Sequence, residues 1–72
     1  MPKQYFFEVS SRKKGNPPRE MGSKGFKTYL KAKDAANDAA IILEADNYKL
    51  KKFIIGSVGG SEGLVIYNDV RY

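Results

Sequence analysis

The groups in this chain that could do chemistry are carboxylates, hydroxyls, amines and guanidiniums, because there is no histidine and no cysteine. The commonest general base and the best nucleophile are therefore both missing. Glu8, Glu20 and Glu62 are scattered through the chain rather than paired. The expectation is a protein that is not an enzyme. Structural zinc lacks its usual ligands, disulfides are excluded, and no metal or cofactor is expected. A glycine cluster, Gly56, Gly59, Gly60 and Gly63, raises the question of a phosphate cradle. Such a cradle needs a helix after the glycine loop. Here Leu64-Val65-Ile66-Tyr67 reads as strand and no Gly-Lys-Ser/Thr follows, so the cluster reads as a hairpin loop.

What the chain offers instead is cationic chemistry. The net charge is +5, and the segment Asp34 to Asp46 holds Asp34, Asp38, Glu44 and Asp46 with no Lys or Arg. Every basic residue lies outside that segment, so a basic surface with one acidic patch is expected, attractive to polyanions on one side. The richest stretch is Ser11 to Lys24, which carries Arg12, Lys13, Lys14, Arg19 and Lys24 against Glu20 alone. With Gly15, Asn16, Pro17, Pro18 and Gly22 and no periodicity, it reads as a long basic loop. Loops of that length in small domains are usually functional or disordered.

A second candidate is a sheet face. If Tyr5, Phe7, Val9, Phe26 and Leu30 face a helix, then Phe6, Lys27, Tyr29 and Lys31 point away from it. Tyr67 and Arg71 join them if Leu64, Ile66 and Val70 face inward. Rings interleaved with cations suit single-stranded nucleic acid, whose bases stack and whose phosphates need charge. Lys24-Gly25-Phe26 resembles the opening of the RNA-recognition-motif signature. The match stops there, since Lys27, Thr28 and Tyr29 stand where Gly/Ala, Phe and Val are expected. A third candidate is a protein contact formed by Asp34, Asp38 and Ile41 on the outer side of the helix.

These groups must be positioned by few elements. Gln4 to Ser10 alternates Tyr5, Phe7 and Val9 with Gln4, Phe6, Glu8 and Ser10, the period of a strand. Gly25 to Lys31 alternates Phe26, Thr28 and Leu30 with Lys27, Tyr29 and Lys31, a second strand. Ala32 to Asp46 is rich in alanine and free of Gly and Pro, a helix whose inward stripe is Ala32, Ala35, Ala36, Ala39, Ile42 and Leu43. Asp34 suits the positive end of its dipole and Asn47 is a stop signal. Lys49 to Val58 and Leu64 to Arg71 read as further strands. The fold class expected is α+β: one two-layer domain over residues 1–72, in the order β-β-α-β-β, an antiparallel sheet with one helix packed on one face.

At 72 residues one core is all the chain can build, and a partner subunit is one way to reinforce it, so a homodimer is among the expectations. No apolar run approaches the ~20 residues of a bilayer span, and nothing behind Met1-Pro2-Lys3-Gln4 reads as a signal peptide. A cytoplasmic protein without membrane contact is expected. The function expected is a small basic accessory protein that binds DNA or RNA. The alternative is a protein-binding inhibitor that occupies the surface of a larger protein or nucleoprotein complex. Small non-enzymatic proteins of phages and mobile elements, anti-CRISPR proteins included, work in that style.

Overall fold

Tyr5, Phe7 and Val9 do alternate along a strand, and that strand is an interior one of the sheet. The computed structural model describes residues 2–67. In chain order the elements are β1 (Gln4–Arg12), β2 (Arg19–Phe26), α1 (Tyr29–Ala45), β3 (Lys49–Val58) and β4 (Val65–Tyr67). The four strands form one antiparallel sheet in the order β2-β1-β3-β4. The helix crosses over β1 to carry the chain from β2 to β3, giving the two-layer α+β domain with β-β-α-β-β order. Among the described residues no helix is long and apolar enough to cross a membrane.

The core lies between α1 and the inner sheet face. Phe7, Val9 and Ile55 meet Ala32, Ala36, Ala39, Leu43 and Tyr48 there, all buried. Alanines on the contact stripe let the helix approach the sheet closely, so Leu43 and Ile55 are sealed almost completely. Each such side chain contributes about 1.5–3 kcal/mol by burial. The stripe is rotated from its expected setting: Ala40 is buried, whereas Ile42 is 48% exposed.

Both helix ends are built by side chains and backbone that the sequence supplies. Thr28 is extended, and its hydroxyl oxygen accepts from the Lys31 N–H at 3.1 Å, an N-cap. At the other end Asn47 takes a φ of 66°. Its N–H donates to the Glu44 carbonyl (2.9 Å) and the Tyr48 N–H donates to the Leu43 carbonyl (3.0 Å), a Schellman pair that turns the chain into β3. The stop expected at Asn47 is thus made by a left-handed residue.

Several expectations are corrected here. The stretch Ser11 to Lys24 is not a long loop but most of a β-hairpin. Ser11 pairs with Arg19, Ser10 with Glu20 and Val9 with Met21. Asn16 donates to the Lys13 carbonyl at 3.0 Å, closing a β-turn with Gly15 at a φ of 83°. The hairpin hides from a hydrophobic pattern because β2 is an outer strand, with only Met21 and Phe26 reaching the core. The strand expected over Gly25 to Lys31 is also wrong. It ends at Phe26, Thr28 caps a helix and Tyr29, Leu30 and Lys31 are helical, leaving Leu30 67% exposed. With the helix starting at Tyr29, Asp34 no longer lies in its first turn. On β4 the facing is reversed: Leu64 and Ile66 are exposed while Val65 and Tyr67 are half-buried. The remainder of the expected last strand, with Val70 and Arg71, lies outside the described residues.

Candidate nucleic-acid interface

Strand pairing collects the cations at one end of the domain. There β1 ends, the hairpin turns and β3 begins, so Arg12 and Lys49 are direct cross-strand partners. Ser11 and Leu50 pair on the inner side, and alternation sets Arg12 and Lys49 on the open side. Between Ser10 and Ser11 the register shifts and Lys51 becomes the extra residue of a β-bulge. A bulge re-aims side chains and often marks functional rims. Arg12, Lys14, Lys49 and Lys51 are exposed, and among the described residues no ion pair engages them. Lys52 reaches Glu8 only at 3.9 Å. Two like charges directly opposite one another cost stability, and here no carboxylate relieves them.

Two further cations of the hairpin, Lys13 and Arg19, are already used. Lys13 Nζ donates to the Asp46 carbonyl at 3.1 Å, and Arg19 Nη1 donates to Asp46 Oδ2 at 2.8 Å. Both also stand over the Tyr48 ring, at 5.5 and 5.1 Å from its centre. The hydrogen bond to Asp46 is the main cause that pushes the Arg19 guanidinium pKa further up. Lys13 and Arg19 therefore fasten the turn to the carboxyl end of α1, where cations meet the negative end of the helix dipole.

The remaining candidates divide. Lys24 is exposed on the open side of β2, opposite Phe6. Lys27 lies in the link before the helix and Lys31 in its first turn, both exposed and neither on the sheet. Tyr29 belongs to the helix and meets Tyr67 edge-on at 5.2 Å, while Tyr67 stacks on Tyr5 at 6.2 Å. Tyr29 and Tyr67 thus close the helix side of the sheet instead of decorating the open one. Ser57 shares a 3.2 Å hydrogen bond with the Tyr67 hydroxyl. That bond, chiefly, with help from Lys3, outweighs burial and lowers the Tyr67 pKa below its ordinary value. Arg71 lies outside the described residues. Asp34, Asp38 and Ile41 stay together on the outer helix face, with Ile41 57% exposed.

The stacking face expected from the sequence is therefore absent among the described residues. The open side presents Phe6, whose ring lies across Gly56, with Ile54, Val58 and Ile66 around it. The residues that sequence reasoning missed are Lys49, Lys51 and Lys52. Their signal was the run Lys49-Leu50-Lys51-Lys52 at the start of a strand, but only pairing brings it beside Arg12. Comparison with protein-family models, with curated proteins and with solved structures gives no match to this chain.

Proposed function

We propose that this protein is a non-enzymatic binding module that grips the phosphate backbone of a nucleic acid with its basic end. The observation that carries the reading is the Arg12–Lys49 pairing, two cations held opposite each other with no acid engaged, with Lys14 in the adjoining turn and Lys51 at the adjoining bulge. A phosphate between them removes the repulsion. Contacts of this kind give affinity without reading bases, and the loss of the stacking face argues for backbone binding over base recognition. The acidic helix face lies on the other side of the sheet, so binding is one-sided. A cytoplasmic setting, where nucleic acid is at hand, belongs to the same proposal.

The test is a salt series with single- and double-stranded DNA and RNA. Binding weakens steeply as salt rises, and Lys49→Ala lowers the slope of log K against log salt by about 0.9 on duplex, the value of one lost phosphate contact. Lys31→Ala, at the far end of the domain, leaves the slope unchanged. No binding to any of the four at low salt rejects the reading.

One observation favours a protein partner as the second reading. Val58 and Ile66, 42% and 43% exposed, lie with Phe6 and Ile54 on the open sheet face, an apolar group of the kind that contacts proteins. A partner retained after nuclease treatment and lost on Ile66→Glu, with Lys49→Ala harmless, selects inhibition by surface occupation instead.

A further inference from the structure

The sheet treats its two sides differently. On the β3 side, β4 covers Ile55 to Ser57. The part of β3 before it carries Lys49, Lys51, Lys52 and the bulge at Lys51. Lysines of one sign and bulges are devices that keep a strand edge from pairing with another chain. From Arg19 to Lys24 the outer edge of β2 has no bulge, and its open side is not of one sign. Every residue from Arg19 to Lys24 is in unbroken register with β1, and the only irregularity is Gly25, at the end, with a φ of 89°. The charges on that edge are of both signs, Glu20 and Lys24, and both side chains are exposed on the open side.

We propose that a second copy of this chain pairs with this edge, β2 against β2, antiparallel about a two-fold axis at Gly22. In that register Glu20 of each copy stands opposite Lys24 of the other, so the contact contains two opposite-charge cross-strand pairs. Sliding by two residues sets Glu20 opposite Phe26 or Gly22 and Lys24 opposite Gly22 or Pro18, and both pairs are lost. A slip by one residue turns the second copy over and opposes unlike faces. The charge pattern of β2 therefore selects one register of self-pairing.

The helix side agrees. Met21 is half-buried and packs against the edge of the core. Pairing sets it opposite Ser23 of the second copy and diagonal to that copy's Met21, within reach of a long side chain. Gly22 at the axis has no side chain to obstruct the approach on the open side. The product is one continuous sheet with both helices on the same side. Because the strands run antiparallel, the two basic ends point in opposite directions and stay free. The inference does not rest on nucleic-acid binding, since neither Glu20 nor Lys24 belongs to the group proposed to meet phosphate.

Sedimentation equilibrium at low salt tests it with the wild type, Glu20→Lys, Lys24→Glu and the double exchange. The wild type is expected to dimerise with concentration. Each single reversal places like charges opposite each other twice and weakens the dimer about tenfold or more, and the double exchange restores it. Circular dichroism checks that each variant keeps its fold, as expected for exposed positions. A wild type that stays monomeric up to about 1 mM overturns the proposal and leaves the edge to some other extended peptide. A dimer indifferent to the single reversals, or not restored by the double exchange, overturns the register.

Discussion

Arg19 and Asp46 join the hairpin to the end of the helix through a 2.8 Å charged hydrogen bond, the shorter of the two bonds that fasten these elements. The same guanidinium lies over Tyr48, the residue that closes the helix and enters the core. One side chain of β2 therefore holds two residues of the junction between α1 and β3, 27 positions further along the chain in the case of Asp46.

Replacing Arg19 with Ala is expected to lower the melting temperature by a few degrees. Part of that loss disappears in about 1 M salt, because screening removes the ionic share and leaves the packing over Tyr48. Arg19→Lys recovers less than the full value, since an ammonium lacks the flat guanidinium that stacks on the ring. The Arg19 pKa is raised, so the share of stability linked to its own proton is present below the ordinary arginine range and is lost in strong alkali. Thermal melts at two salt concentrations and several pH values check all four points.

Gly56 is expected to resist substitution. A Cβ there collides with the Phe6 ring and comes within 2.9 Å of the Val65 carbonyl oxygen. Gly56→Ala should cost about 1–3 kcal/mol as an overpacked site. Phe6→Ala in that background relieves the ring but not the carbonyl. The double variant therefore loses less than the two single losses together, while remaining below Phe6→Ala alone. Denaturant titrations of the four proteins measure the cycle.

Tyr67 should ionise below its ordinary value of 10.0, and Ser57→Ala should move it back up by removing the largest cause. A lowered phenol pKa means that the folded state favours the phenolate. It adds nothing while both states are protonated and adds stability as pH rises through the lowered value toward 10.0. The stability gap between the wild type and Tyr67→Phe should consequently widen across that window. Ultraviolet titration of the phenols follows the first effect, and denaturant melts at stepped pH follow the second.

The strand of Tyr5, Phe7 and Val9, the alanine-rich helix and the strand from Lys49 to Val58 were legible because each couples its residue pattern to burial, and the Asn47 stop because asparagine tolerates a left-handed turn. β2 was not legible, and the reason is physical: a strand on the outside of a sheet buries little and needs no alternation. Gly22, Ser23 and Gly25 on β2 look like loop residues because nothing packs on them from outside. The mistaken strand over Gly25 to Lys31 came from reading Phe26, Thr28 and Leu30 at period two, where Thr28 is in fact a cap. That one misreading moved Lys27, Tyr29 and Lys31 onto a sheet face they never occupy.

The sequence by itself determined the charge imbalance, the lack of histidine and cysteine chemistry, the helix with its acidic outer face, and the strands that begin at Gln4 and Lys49. These are properties of composition and local period, which survive any arrangement of the parts. Only the tertiary structure decided which cations meet: antiparallel pairing of β1 with β3 set Arg12 opposite Lys49, and closing the hairpin spent Lys13 and Arg19 on Asp46. Charge acts through distance in space, and strand register is what converts separation along this chain into that distance.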